Sequence, residues 1–598
     1  MKEFTNIEIA KLFRKVAAVY SIQNEKKYKF QIIAYQKAAE VVEKLSTELS
    51  TLFKQQNLDK IPGIGATMQE RLTELFTTGH VEHYENIMKD VSPAVFPLLD
   101  IPSFGPKKAF RLVAHFKLSN PATVIADIEK MASQGRIAEL DGFGEKSQQD
   151  ILQAISEYKT GTTKTGRMVL PYAFSLAQEV MRHMEKSKDI DKIMPLGSLR
   201  RMVSTIGDVD FAVTSKNPSA VIEHFVSFPA KERVIEKGPT TASLLIGGGK
   251  HIDLLVLPPA QFGSLLQHFT GSKHHNVALR EYAIKRGYSL SERGIKITGD
   301  NNKLKEFDTE EKFYRFLGMD WIPPEIRENE GEIEAALHGK LPKLIELSDM
   351  KGDLHIHSNY PIDSSHDYGN ASMEDMLKKA EELGYSYLGF SEHNPSVMNH
   401  SKDEIYDILQ KRREKIEHLK YVQEKSSNTK SVRIINLLEV DILSSGELAL
   451  DDRCLNLIDG AIVSVHSSFN TPIDKMTQRV LKGLSHPKAR ILAHPTGRLI
   501  NSRTGYQLDW EKLFEFCKEH NKALEINAWP ERLDLPDTLV KDAKDMGIRF
   551  VIDTDSHAIR HMDNLFYGVA VARRGWLEKG DVINTYPYEK FWDWLNAV

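Results

Sequence analysis

The chain has only two cysteines, Cys454 and Cys517, in 598 residues. That excludes a disulfide framework, and a reducing compartment, the cytoplasm, is expected. No apolar run approaches the ~20 residues that cross a bilayer, so no membrane partner is expected. The opening residues, MKEFTNIEIAKLFRK, lack the apolar core of a signal peptide. What remains is a globular composition, 41% hydrophobic and 27% charged. At roughly 100–200 residues per domain, such a length suggests three to five domains.

Net charge is small, −4, but unevenly placed. Residues 1–300 carry 40 Lys and Arg against 33 Asp and Glu, and residues 301–598 carry 39 against 50. The first half therefore has the balance of a polyanion binder and the second does not.

Ile9, Leu12, Phe13, Val16, Ala17 and Tyr20 fall on one face at helical spacing. Helical patterning continues to about residue 160 and carries a repeat. IPGIG at 61–65, IPSFG at 101–105 and LDGFG at 140–144 lie about forty residues apart between helical segments. Two glycines around an apolar residue make a tight turn that leaves backbone N–H groups at the start of the next helix. Such turns hold a phosphate oxygen without reading base sequence. Gly63, Gly65, Gly105, Gly142 and Gly144 are therefore candidate helix-hairpin-helix contacts to a nucleic-acid backbone.

From 166 to 258 strands alternate with helices, and SLLIGGGKHIDLLVLP reads as a hairpin. PLGSLRRMVSTIGDVDFAV at 195–213 places two aspartates one residue apart in an apolar run. On a strand Asp208 and Asp210 share a face, about 6–7 Å apart, and would repel without a cation between them. Oxygen-only ligands suit Mg²⁺, with substrate phosphates completing the shell. HIDLLVL adds Asp253. Three acids from neighbouring strands can hold two Mg²⁺ or Mn²⁺ ions for in-line phosphoryl transfer, and Asp253 is a candidate proton acceptor. The Gly197-Ser198 turn can cradle a triphosphate, with Arg201 adding charge. A lone Asp-x-Asp is usually a solvated pair; the combination with Gly-Ser and a later strand acid is far more specific.

This segment resembles the nucleotidyltransferase signature. FGSLLQHFTGSKHHNVALREYAIKRGY at 262–288 resembles the nucleotide-selection subdomain of family X DNA polymerases. The resemblance implies that His268, Phe269 and the Thr270-Gly271 backbone lie against the sugar, excluding a ribose 2′-OH. It implies Asn276 at the minor-groove edge of the incoming nucleotide and Arg280 at the template strand. It extends over the first 320 residues, whose leading domain resembles the family's small domain. That domain carries a Schiff-base lysine in some members. IPGIGATMQERL puts Arg71 there, and a guanidinium cannot serve as the amine nucleophile, so no such lyase activity is expected. Lys26, Lys27, Lys29, Tyr35 and Lys37 are candidates for a downstream 5′-phosphate.

After residue 351 short apolar runs recur, each followed by a polar-faced helix. GDLHIHS carries His355 and His357, YLGFSEHN ends in His393, and IINLLEVDI carries Glu439. AIVSVHSS ends in His466, ILAHPTG in His494, and FVIDTDSH in Asp555 and His557. ALEINAW has no imidazole. Ligands at the same end of parallel strands converge on one rim of a barrel. Imidazoles with carboxylates suit Mn²⁺, Zn²⁺ or Fe²⁺. This half resembles the PHP (polymerase and histidinol phosphatase) domain, which implies a site for up to three ions. In place of the family's early Ser-Asp-Gly stands SNYPIDSSHDYG, where Asp363 is the chosen ligand and His366 and Asp367 are rivals.

The expectation is a multidomain α+β and α/β chain. It has helix-hairpin-helix domains at 1–85 and 86–160, a nucleotidyltransferase palm at 161–260 and a nucleotide-selection subdomain at 261–321. An acidic linker at 322–350, allowing the halves to move, leads to a C-terminal (β/α)7 PHP barrel at 351–598. The resemblance implies a monomeric polymerase that fills gaps in DNA using dNTPs, with a barrel that removes nucleotides from 3′ ends and cuts at abasic sites. Two other readings remain: a polymerase fused to a small-molecule phosphoesterase, and a non-catalytic scaffold for gapped or nicked DNA.

Overall fold

In the computed structural model, residues 4, 6–44, 49–54, 58, 61, 64–99, 101, 104–140, 142–159, 167–247, 250–297, 303–425 and 431–597 are described. They form two compact units, 1–166 and 167–598.

The first unit is helical. Helix Asn6–Asn24 buries Ile9, Phe13, Val16, Ala17 and Tyr20, the stripe expected from the spacing. These pack on Ile32, Tyr35, Ala38, Ala39 and Val42 of helix Lys29–Lys44. A second core gathers around Val95, Leu98, Leu112, Val113, Val124 and Ile128. The three glycine turns each lead into a helix: Ala66–Thr78, Pro106–His115 and Glu145–Lys159. Gly65 and Gly105 cap the first two with extended backbone and no side-chain cap, which leaves first-turn N–H groups to an external acceptor.

The second unit opens with a five-stranded sheet: β1 (Lys192–Pro195), β2 (Val209–Thr214), β3 (Lys231–Lys237), β4 (Thr241–Ile246) and β5 (Lys250–Leu257). Its order is β1-β2-β5-β4-β3. The expected hairpin is β4-β5, and β2 runs parallel to β5. Val209, Phe211 and Val213 enter the core, while Ala212 packs on the opposite face with Leu196, Leu265 and Leu266. Helices Phe262–Thr270, Lys273–Ile284 and Glu310–Phe316 and a three-stranded antiparallel sheet follow.

Residues 322–350 correct the expectation of an open linker. Ile322, Ile326 and Ala336 share a core with Leu279, Phe313 and Tyr314, and Ile345 and Met350 join the core of the following barrel. The acids and prolines that suggested a loop are used internally. Buried Glu332 lies 2.6 Å from buried His275, and Pro324 starts a short 3₁₀ turn.

Seven parallel strands follow: β6 (Gly352–Ile356), β7 (Tyr387–Phe390), β8 (Arg433–Asp441), β9 (Gly460–Ser464), β10 (Ala489–Leu492), β11 (Ala523–Asn527) and β12 (Arg549–Asp553). They pair in chain order, and all seven read as buried apolar runs, as covered parallel strands do. The first and last meet where His357 N–H donates to Ser556 O (2.8 Å) and Ser556 N–H to His355 O (3.1 Å), closing the barrel.

Candidate active sites

Asp210 on β2 and Asp253 on β5 stand directly opposite in the parallel register, and Asp208 precedes β2. Ser243 on β4 donates its hydroxyl to Asp253. Burial, then Asp253 and Asp208, push the Asp210 carboxyl up to about 6. A divalent cation would relieve that repulsion, and an all-oxygen donor set suits Mg²⁺ or Mn²⁺. Gly197 has φ +57°, and a Cβ there would stand 3.0 Å from Asp210 Oδ2. Only glycine lets this turn pass so close to the carboxylate. Ser198 follows in the short helix Gly197–Arg200. Asp210, Asp253, Leu196, Glu236 and the half-exposed Phe269 line a cavity of about 300 Å³.

Arg201 departs from the expectation of a phosphate ligand. Its Nη1 donates to Thr270 O (2.5 Å) and its Nε to Glu328 (3.0 Å), so its charge is already matched. Arg200 bonds Thr270 Oγ1 (2.5 Å) and Glu310. Gly271 packs on Arg201, whose Nη1 would lie 3.0 Å from a Cβ. Arg201 thus fixes the Thr270-Gly271 backbone, and Arg200 holds the Thr270 side chain. Asn276 donates to His268 O (2.7 Å) and accepts from Gln267 (2.8 Å), and Arg280 lies 3.5 Å from His268 Nδ1. His268, Asn276 and Arg280 therefore form one hydrogen-bonded group, and Thr270 is tied to Arg200 and Arg201.

In the helical unit Lys26, Lys27, Lys29 and Lys37 are exposed. Tyr35 is not available to DNA: it is 2% exposed, packs edge-on to Phe13 and Tyr84, and accepts a hydrogen bond from Arg71. It falls on the apolar stripe of its helix, which the sequence reading overlooked in favour of its lysine neighbours. Phe30, 83% exposed among those lysines, was passed over. Gly65, Gly105, Gly142 and Gly144 lie at the turns; Gly63 lies outside the described residues. Gly142 is left-handed, φ +76°, and packs against Arg111.

The barrel gathers seven imidazoles and two carboxylates in four overlapping clusters, with ligand atoms within 4.8 Å in each: His357, His393 and His557; His366, His393 and His466; His355, His357 and Asp555; Glu439, His466 and His494. Glu439 is the hub. Its oxygens lie 3.1 Å from His355 Nε2, 2.9 Å from His393 Nδ1, 3.3 Å from His466 Nε2 and 3.1 Å from His494 Nε2. Burial opposes its charge, yet His393, His355 and His466 hold it well below the carboxylate range. Burial, then His393 and His557, push His357 well below its ordinary value, into the neutral form that binds metal.

The fit to metal rests on orphaned atoms. Both ring nitrogens of His357, Nδ1 of His494 and Nε2 of His557 are buried without a hydrogen-bond partner. A neutral imidazole offers one lone pair, and a buried ring nitrogen without a partner is costly unless a cation takes that pair.

Asp363 is corrected. Its Oδ2 pairs with His400 Nε2 (2.8 Å) and its side chain is 66% exposed, outside the clusters. The loop turns through Asp363 at φ +55° and brings in its rivals instead. His366 joins a cluster, and Asp367 lies 3.6 Å from His393 and 3.5 Å from His557.

Four residues of the site were not expected from the sequence. Glu525, on the strand without an imidazole, sits with Oε1 2.6 Å from His355 Nδ1. Its signal was present: an acid inside the apolar run ALEIN. Trp529 and Arg532 line the 200 Å³ pocket with His366, Asp367, His494 and His557; they come from an irregular loop with no periodicity to mark them. Asp441, quoted but unassigned, bonds His466 Nδ1 (2.7 Å) and His366 Nε2 (3.0 Å).

Three stretches of the chain match known domain families. Residues 4–81 match a helix-hairpin-helix domain, 265–328 a DNA polymerase beta thumb, and 353–528 a PHP domain. The chain is similar to the DNA polymerase/3′-5′ exonuclease PolX of Bacillus subtilis, 33% identical over 579 residues, covering 96% of this chain and 97% of that one. It is 24% identical over 352 residues to DNA polymerase lambda of Rattus norvegicus, 54% of this chain and 56% of that one. A probable phosphatase of Clostridium acetobutylicum is 28% identical over 225 residues, 34% of this chain and 78% of that one. With a DNA polymerase beta thumb, a PHP domain and a relative 33% identical along 96% of its length, this chain belongs to the family X DNA polymerases that carry a C-terminal PHP domain.

Proposed function

We propose that this chain fills short gaps in DNA from dNTPs at the palm and removes nucleotides from 3′ ends at the barrel, with cleavage at abasic sites as a further barrel activity. The observation that carries the synthesis reading is the register that sets Asp210 opposite Asp253 beside the Gly197 turn.

Asp208, Asp210 and Asp253 would hold two Mg²⁺ or Mn²⁺ ions, which when bound supply charge neutralisation for the triphosphate. Asp253, steadied by the Ser243 hydroxyl, accepts the proton of the primer 3′-OH. The Gly197-Ser198 turn seats the phosphates. Phe269 and the Thr270-Gly271 backbone, braced by Arg201, exclude a ribose 2′-OH.

His355, His357, His366, His393, Glu439, His466, His494, Asp555 and His557 would hold up to three Mn²⁺, Zn²⁺ or Fe²⁺ ions, which when bound supply a nucleophile and Lewis-acid assistance. Glu525 and Asp441 fix the orientation of His355 and His466. Arg532, 3.6 Å from Asp555, carries positive charge at the pocket mouth for a DNA phosphate.

Gapped or nicked DNA with a 5′-phosphate is the substrate, met by Lys26, Lys27, Lys29, Lys37 and the glycine turns. The chain acts as a monomer in the reducing cytoplasm, in keeping with its two buried free cysteines.

A gapped duplex and a single-stranded 3′ end test the two sites together. Asp253→Ala abolishes extension and leaves release of dNMP from the 3′ end, and His357→Ala does the reverse. Joint loss in either variant would contradict two separate sites. Failure of the wild type to release dNMP would favour a small-molecule phosphoesterase.

A further inference from the structure

Arg574 closes the helix Leu565–Arg574 of the barrel and belongs to none of the histidine clusters named above. It is a buried cation, 9% exposed. Its Nε and Nη2 fork onto Asp537 of the barrel (2.7 and 2.6 Å). Its Nη1 reaches outside the barrel, to Glu328 Oε1 (3.1 Å), to Arg201 O (2.9 Å) and to Glu325 O (3.3 Å). Glu328 uses the same oxygen to accept from Arg201 Nε (3.0 Å). Arg201 then donates to Thr270 O (2.5 Å), and its backbone N–H bonds Gly197 O (3.2 Å). Gly197 lies against Asp210.

The charges in this chain of contacts balance. Asp537 and Glu328 match Arg574 and Arg201, and the groups that meet are buried or nearly so. A buried, fully paired network fixes geometry because breaking one pair strands the other charges. One end of this network is barrel and the other is the turn and backbone assigned to the triphosphate and the sugar. The neighbouring Arg573 adds a parallel tie, Nε to Glu325 (2.8 Å).

We infer that Arg574, a barrel residue, is a positioning residue for the nucleotide site of the polymerase half, acting through Glu328 and Arg201 on the Gly197 turn and the Thr270-Gly271 backbone. The barrel thereby completes the support of the polymerase nucleotide site as well as carrying its own chemistry. This rests on the polymerase reading above. Without Arg574, Glu328 and Asp537 lose their shared cation, and Arg201 loses the partner that holds Glu328 in place. The nucleotide-binding edge loosens before the carboxylates are disturbed, so dNTP affinity falls more than the chemical step.

The test measures dNTP KM and kcat in a one-nucleotide gap and 3′-end degradation, in the full chain, for Arg574→Ala, Arg574→Lys and Glu328→Gln. Arg574→Ala and Glu328→Gln raise the dNTP KM at least about tenfold, the scale of one lost charge-assisted hydrogen bond, with kcat changed less and degradation near wild type. Arg574→Lys, which keeps the charge and loses the fork, falls between. Glu328→Gln preserves side-chain volume, so the inference is still tested if Arg574→Ala does not fold. Unchanged KM in folded variants would overturn it, as would parallel loss of kcat and degradation at constant KM. A wild type that extends no primer would overturn the polymerase reading instead, and this inference with it.

Discussion

Glu525 braces His355 from behind: its Oε1 lies 2.6 Å from Nδ1, while Nε2 of the same ring faces Glu439 at 3.1 Å. A carboxylate that fixes the far nitrogen sets both the tautomer and the aim of the near one. Glu525→Gln keeps the shape and weakens that bond. Metal affinity of the barrel falls about 10–100-fold by calorimetric titration of the metal-free protein, with gap filling unchanged. Unaltered affinity would show that Glu525 only packs.

Asp363 and His366 separate by the same reasoning. His366→Ala lowers the number of ions retained per chain, measured by elemental analysis, and slows 3′-end degradation by at least about tenfold. Asp363→Ala, which breaks only the pair with His400, leaves both near wild type. The opposite ranking would restore Asp363 as the ligand.

Glu310 gives the polymerase half an acid sensitivity. Burial raises its carboxyl, but Arg327 and Arg200 outweigh burial and hold it at about 2, against 4.5 ordinarily. A depressed folded-state value stabilises fully above the unfolded value and is lost as pH falls from about 4.5 through 2. The contribution is on the order of 3 kcal/mol. Protection of the helix Glu310–Phe316 amides, relative to unfolded-chain exchange at the same pH, therefore falls across that window in the wild type. In Glu310→Gln it is low already at pH 7 and flatter with pH. Wild-type protection that stays constant from pH 5 to 2 would count against it.

Arg71 at the Schiff-base position predicts that the small domain has no lyase activity of that kind. The Arg71 guanidinium sits over the rings of Tyr35 and Tyr84, at 5.8 and 5.7 Å, and offers no amine nucleophile for a Schiff base. Borohydride treatment with a 5′-deoxyribose phosphate end traps no adduct on the full chain. A trapped adduct mapped to residues 1–85 would contradict this.

Much of this was legible in the sequence because period and chemistry coincide. Asp210 and Asp253 lie on neighbouring strands in direct register, with Asp208 just before the first, so the acids set in apolar runs marked the site. His393, His466 and His494 each follow an apolar strand, so barrel topology alone predicts one rim. Where the two diverge, the sequence misled. Composition marked 322–350 as a linker, because Glu332 and Arg327 look solvated until His275 and Glu310 are known to lie opposite. Asp363 was chosen by likeness to a motif, and one left-handed residue decides which side chain enters. Arg201 looked like a phosphate ligand because Glu328, 127 residues later, is invisible to local pattern. Tyr35 was judged by its lysine neighbours rather than by its helical face.

The most direct measurement is single-nucleotide gap extension by the wild type and by Asp210→Asn, a change that keeps volume and removes charge. The palm assignment predicts that the wild type inserts the templated dNMP with Mg²⁺ or Mn²⁺. It also predicts that Asp210→Asn loses at least about a thousandfold in rate, roughly 4 kcal/mol of barrier, while still degrading 3′ ends. Extension by Asp210→Asn within tenfold of wild type would contradict it.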